Sequence, residues 1–195
     1  TPKPSSAASD VYKRQPQKKP RSSYIRFQAE MPNECWQADI THLFLADGTR
    51  VEVLDFLDDH SRYLLSITAQ HAFTGTAVAE QLQRLISAYG PPASTLTDNG
   101  LVFTARLAGR KGGRNAFEKT LNYHRIQQKN GRPGHPQTQG KIERFHQTLK
   151  RWIKARPPAE TISQLQQQLN EFAGYYNTQR PHLSLIHISE PTRLR

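Results

Sequence analysis

Three strand-like runs separated by turn signals occupy residues 35–69, and this succession constrains the fold more than any other part of the chain. The first run, CWQADITHLFL over residues 35–45, passes through Ala46-Asp47-Gly48, a hairpin turn signal, into a second run over 49–56. Asp58-Asp59-His60-Ser61 then turns the chain toward a third run at 63–69. Short turns between consecutive strands impose antiparallel pairing, so a three-stranded meander is expected. Val78, Leu82, Leu85, Ile86 and Tyr89 recur at helical spacing until Gly90-Pro91-Pro92 stops them. A short strand at 94–97, a short helix at 116–121 and a strand at 124–127 are expected next. Strands interleaved with helices imply a layered α/β domain.

Two helices complete the pattern. Ile142, Phe145, Leu149 and Ile153 form a stripe to be buried, while Glu143, Gln147, Lys150 and Lys154 follow spacings of four, three and four along another face. A carboxylate near one end and two lysines further along suit a metal ligand followed by contacts to a nucleic-acid backbone. A solvated helix face carries the same residues. Thr161 with Gln164 resembles a capping box, and Ile162, Leu165, Leu169, Phe172 and Tyr176 form the apolar stripe of a last helix. That helix is expected to pack on the sheet without chemistry of its own.

Three acids stand out by context. Asp39 lies inside the hydrophobic first strand, where an ionised carboxylate is costly unless paired or metal-bound; a satisfied core aspartate is the competing reading. Asp98 follows the fourth strand at its carboxyl end, a usual ligand position in open α/β sheets, although Asp98-Asn99-Gly100 also suits a simple turn. Glu143 stands on the charged helix face. Hard divalent cations such as Mg²⁺ take oxygen ligands and keep several waters, so a few carboxylates suffice when phosphate oxygens fill the remaining positions. Asp55 reads as a strand-edge residue, and Asp58-Asp59 as turn formers. His60, His71 and His124 lack ligand spacing. His135 and His146 flank Glu143 and read either as DNA contacts or as structural residues, and Trp36 reads as core.

The order of these acids, in Trp36-Gln37-Ala38-Asp39, Thr97-Asp98-Asn99-Gly100 and Gln139-Gly140-Lys141-Ile142-Glu143-Arg144, resembles the D-D-E catalytic core of retroviral-integrase-like insertion-sequence transposases. Tyr176-Asn177-Thr178-Gln179-Arg180-Pro181-His182 resembles the segment that closes this domain in the family. One departure is the interval at residues 99–142, longer than retroviral integrases have, and the Gly/Arg/Lys-rich residues 107–114 are expected to hold the excess as a loop.

The resemblance implies a ribonuclease-H-like α/β fold, a mixed five-stranded sheet in order 3-2-1-4-5 flanked by helices. It implies a DNA transposase that hydrolyses phosphodiesters at transposon ends and transfers the strand into target DNA. Asp39, Asp98 and Glu143 would be its catalytic and metal-binding residues, with two Mg²⁺ or Mn²⁺ ions, one held by Asp39 and Asp98 and the other by Asp39 and Glu143. Ions about 3.5–4 Å apart clamp the attacking and leaving oxygens of such a reaction. Lys141, Arg144, Lys150 and Lys154 are expected on the DNA backbone, and Gln137, Gln139 and Gly140 in a loop beside the scissile site. Little base readout is expected, since phosphate contacts position DNA without specifying sequence. A homo-oligomer on DNA is the expected assembly. Two alternatives stay open. A catalytically inactive DNA-binding remnant keeps the basic helix without needing the acids, and a ribonuclease H-type nuclease shares fold and metals but prefers an RNA–DNA hybrid.

A formal net charge of +11 favours a polyanionic partner, because neutralising phosphates releases counterions, although many solvated surfaces are basic. Residues 1–15 and 183–195 resemble translated adapters of transposon-based DNA library preparation and are expected to be artefacts outside the fold. Between them, a polar, proline-bearing linker is expected at 16–33 and a catalytic core at 34–182. Cys35 is the only cysteine, which excludes a disulfide framework or a cysteine-based zinc site within the chain and favours a reducing compartment. With the resemblance, this gives a cytoplasmic protein associated with the nucleoid of a prokaryotic host. No run approaches the ~20 apolar residues of a membrane span, so no membrane partner is expected.

Overall fold

A computed structural model describes residues 29–105, 113–130 and 140–179. Strands β1 (Cys35–Phe44), β2 (Arg50–Asp58) and β3 (Leu64–Gln70) form the expected antiparallel meander. At the first turn Gly48 adopts φ +83°, a conformation cheap only without a Cβ, and donates its N–H to Leu45 O. Asp47 accepts from the amide and hydroxyl of Thr49 in the same turn. Asp58 closes the second turn by accepting from the amide and hydroxyl of Ser61.

Helix α1 (Gly75–Tyr89) begins where the Thr74 side chain accepts from Ala77 N and ends at Gly90, φ +79°. It leads into β4 (Ser94–Thr97), which lies parallel to β1. Helix α2 (Ala116–Tyr123) follows, then β5 (Gln127–Asn130), parallel to β4, then α3 (Gly140–Lys154) and α4 (Ile162–Thr178). The sheet order is β3-β2-β1-β4-β5, the mixed ribonuclease-H-like arrangement that was expected.

Side chains alternate across a strand, so each face of the sheet has its own core. Leu43, Val51, Val53 and Leu57 pack with Ile142, Phe145 and Leu149 of α3 and with Leu165, Leu169, Phe172 and Tyr176 of α4. Trp36, Ala38, Leu54 and Phe56 pack on the opposite face with Val78 and Leu82 of α1 and with Phe117 and Leu121 of α2. The same alternation turns Asp39 and Asp55 toward α3.

The edge strand β3 is covered by side chains rather than by another strand. Gln166 of α4 accepts from Ala69 N at 2.8 Å and donates to Ile67 O at 3.0 Å. Asn177 accepts from Leu64 N at 2.8 Å and donates to Leu64 O at 3.0 Å. Two amide groups thereby take up backbone positions that an exposed edge leaves unpaired.

Some boundaries differ from those expected. The fifth strand begins at Gln127 rather than 124, because His124 ends α2 and Arg125, at φ +57°, turns the chain first. Helix α2 is fixed at its start by a capping box of Asn115 and Glu118. The stretch expected as a linker over 16–33 is docked at its end: Ala29 is buried with its N–H on Asp59, and Asn33 N donates to Asp58. Residues 1–28, 106–112, 131–139 and 180–195 lie outside the described residues, and with them both adapter-like ends, most of the 107–114 loop, His135, Gln137 and Gln139. Among the described residues no helix is long and apolar enough to cross a membrane.

Candidate active site

Asp39 sits in the middle of the central strand β1, opposite Asp55 of β2, with its side chain 24% exposed. On its other side the parallel register pairs Ala38 with Thr97, so that each strand's next residue is an acid, Asp39 or Asp98. The Asp98 side chain folds back to accept from Gly100 N at 2.9 Å, and a Cβ on Gly100 would lie only 2.9 Å from Asp98 Oδ1. The Asp-Asn-Gly turn therefore fixes the Asp98 carboxylate, and glycine makes room for it.

These neighbours act on Asp39. Burial, the Asp55 carboxylate and, more weakly, Asp98 push its pKa up to about 6, against the opposing pull of His146 and the Ile40 amide. Asp55 is fully buried, and its Oδ2 lies 2.7 Å from Nε2 of His146 on α3, whose Nδ1 is 3.8 Å from Asp39 Oδ2. Among the described residues Oδ1 of Asp55 has no hydrogen-bond partner. Burial raises the Asp55 carboxyl despite the imidazole beside it. For His146 burial pulls the other way, but the Asp55 and Asp39 carboxylates outweigh it and raise its pKa.

Glu143 lies in the first turn of α3, three residues before His146 and therefore a neighbour of it on the helix surface. Its side chain is exposed, and among the described residues no three His, Cys, Asp or Glu groups are gathered closely enough to hold a metal ion. The structure thus brings Asp39 and Asp98 together and places Glu143 one helical turn from the residue that touches Asp39.

Of the residues expected at DNA, Gly140 opens α3, and Arg144, Lys150 and Lys154 are exposed along it. Lys150 lies near enough to His146 to oppose its protonation. Lys141 is instead turned onto Asp59, with Nζ 2.5 Å from Oδ2. Burial lowers the pKa of this ammonium, against the pull of the Asp59 carboxylate. Asp59 also accepts from Gln37 Nε2 and has Arg62 at 3.7 Å, so it is the centre of a buried polar cluster rather than a turn former alone. Gln137 and Gln139 fall outside the described residues.

Two residues of the site escape the sequence reading. Asp55 is not at a strand edge, since β2 lies between β1 and β3. Its signal was its phase: Val51, Val53, Asp55 and Leu57 share one face of the strand, which commits the carboxylate to the core. His146, read as a flanking residue, follows Phe145 and sits three positions after Glu143, between the buried and polar faces of its helix.

An integrase core domain model matches residues 29–136, and a second integrase core domain model matches residues 124–189. The chain belongs to the integrase core domain family. This integrase core is 28% identical over 175 residues to an uncharacterized 39.2 kDa protein of insertion element IS476 from Xanthomonas euvesicatoria, covering 89% of the chain and 48% of that protein. It is 25% identical over 162 residues to the transposase of insertion sequence element IS904 from Lactococcus lactis, covering 82% of the chain and 60% of the transposase. The integrase core spans about half the length of the first curated relatives it matches. Its fold matches that of the HTLV-2 integrase catalytic core domain, solved in complex with magnesium, with a TM-score of 0.59 at 20% identity over 80% of this chain and 94% of the other.

Proposed function

We propose that this integrase core is the catalytic part of a DNA transposase, a metal-dependent polynucleotidyl transferase in which Asp39, Asp98 and Glu143 hold two Mg²⁺ or Mn²⁺ ions. The observation that carries the proposal is the setting of Asp39 beside Asp55 and Asp98: burial and these two carboxylates raise its pKa to about 6 while its side chain stays partly exposed. Acids packed together this way favour a bound cation, and their oxygens are the donors that Mg²⁺ prefers. When bound, such ions lower the pKa of a water for phosphodiester hydrolysis and activate a 3′ hydroxyl for strand transfer. The protein's own contribution is orientation. Gly100 N fixes the Asp98 carboxylate, the paired strands fix Asp39, and α3 carries Glu143 three residues before His146. Arg144, Lys150 and Lys154 on the exposed face of α3 are suited to the DNA backbone, with Gln137, Gln139 and Gly140 beside the scissile phosphate. Transposon ends and target DNA are the partners, engaged by an oligomer on the nucleoid in the cytoplasm of a prokaryotic host.

A second reading, the DNA-binding remnant without catalysis, draws on the exposed Glu143 and its separation from the other two acids. One assay separates the two. The full chain is incubated with a labelled duplex bearing a 3′ hydroxyl and a plasmid target in Mg²⁺ or Mn²⁺, alongside Asp39→Asn, Asp98→Asn and Glu143→Gln. Metal-dependent nicking and joining, lost in each variant with DNA binding retained, is the expected result. Binding without products supports the remnant, and preferred cleavage of an RNA–DNA hybrid supports a ribonuclease H-type nuclease.

A further inference from the structure

We propose that His146 is a positioning residue of the acid site: its hydrogen bond to Asp55 fixes the rotation of α3 and so aims Glu143 toward Asp39. The inference rests on the metal chemistry proposed above and adds two residues to it. Helix α3 is held to the sheet mainly by Ile142, Phe145 and Leu149, and apolar packing is non-directional. Such packing constrains small turns about the helix axis less sharply than a hydrogen bond does. The 2.7 Å contact between His146 Nε2 and Asp55 Oδ2 is directional, and Asp55 is immobilised in a strand paired on both sides. Lys141 also anchors α3, through Asp59, but its flexible four-carbon stem accommodates more than one helix orientation. The planar imidazole does not.

The geometry links the anchor to the acid. Asp55 and Asp39 face each other in the register of β2 and β1, and His146 touches both, at 2.7 Å and 3.8 Å. Glu143 and His146, three residues apart, are separated by roughly 4.5 Å along the helix and roughly 60° around it. Fixing one ring against the Asp39–Asp55 rung therefore fixes the direction of the carboxylate one turn away. Groups that orient metal ligands without touching the metal act in this manner.

Mn²⁺ affinity of the full chain, titrated by electron paramagnetic resonance of free Mn²⁺, is the test, with thermal denaturation of each metal-free variant in parallel. His146→Leu is expected to weaken binding on the order of 10-fold, and His146→Gln, whose amide still donates to Asp55, to regain part of it. The double variant Asp55→Leu/His146→Leu removes both buried polar partners, so it is expected to fold as stably as the parent even if His146→Leu alone does not. Its Mn²⁺ affinity is expected to stay low. In a Glu143→Gln background, adding His146→Leu is expected to cause no further loss. Recovery of affinity in the apolar pair, or additive losses from Glu143→Gln and His146→Leu, would overturn the positioning role while leaving the metal site intact. Absence of Asp39-dependent Mn²⁺ binding in the unmodified chain would instead overturn the metal chemistry and this inference with it.

Discussion

Replacing Asp39 with asparagine is expected to stabilise the metal-free chain at neutral pH while removing the residue proposed as central to catalysis. The Asp39 carboxyl is raised from its ordinary 3.8 to about 6 in the folded protein by burial and by Asp55 and Asp98. Between those values the unfolded chain releases the proton while the folded chain keeps it, so stability falls as pH rises and the loss is complete above the folded pKa. A shift of about two units corresponds to about 3 kcal/mol, and the side chain is buried enough for most of that to be felt. The asparagine amide is neutral throughout and keeps the shape, so Asp39→Asn is expected to lose this pH dependence and to gain up to about 3 kcal/mol at pH 7. For a chain of this size that is a rise of roughly 6–12 °C in Tm. Thermal and urea denaturation at pH 4, 5, 6 and 7 in the presence of a chelator measures it. Parallel stability curves for the two proteins across that range would refute the electrostatic argument. Adding Mg²⁺ or Mn²⁺ at pH 7 is expected to raise the Tm of the parent and leave that of the Asp39→Asn variant unmoved.

Gln166→Leu with Asn177→Leu is expected to destabilise the fold by about 2–5 kcal/mol through the loss of four side chain–backbone hydrogen bonds, and to promote self-association at β3, as read by denaturation and light scattering. Asp59→Ala strands the partly buried Lys141 and takes a nearby carboxylate from Arg62, so a loss of about 3–5 kcal/mol in urea unfolding is expected; a change below about 1 kcal/mol would mean the cluster is not coupled to stability. Lys150→Gln and Lys154→Gln are each expected to weaken DNA binding similarly on unrelated duplexes, and to reduce the slope of log affinity against log salt by about 1. A sequence-selective loss in a filter-binding or anisotropy titration would show that α3 reads bases.

The meander and the helices were legible because their signals are local. Ala46-Asp47-Gly48 and Gly90-Pro91-Pro92 punctuate the chain through backbone constraints that need no tertiary context. The apolar stripe of α3 and its exposed Glu143, Gln147, Lys150 and Lys154 likewise follow from helical spacing alone. β5 was misplaced by three residues because Gln127-Gln128-Lys129-Asn130 has no apolar pattern; it pairs only because β4 offers it an edge. Asp39 and Asp98 stood out by their settings, and the register of β1 with β4 sets them at neighbouring positions. The Asp55–His146 contact was not legible, since neither residue alone distinguishes a buried hydrogen-bonded pair from an edge acid and a histidine at DNA. The contact of Lys141 with Asp59 was hidden for the same reason: the two lie 82 positions apart, and Asp59 looks like part of a turn.

The Asp55–His146 bond spans 91 positions, and that separation bears on how the domain assembles. The β1–β2–β3 meander is made from local contacts and can form early. Formed alone, it leaves Val51, Val53 and Leu57 facing water on the side that carries Asp55, a cost of the kind that keeps an intermediate from accumulating. Docking of α3 supplies both the histidine and the apolar cover for Val51, Val53 and Leu57. The late helix thus completes the early sheet, and the two halves fold as one cooperative unit rather than as a stable meander awaiting its partner.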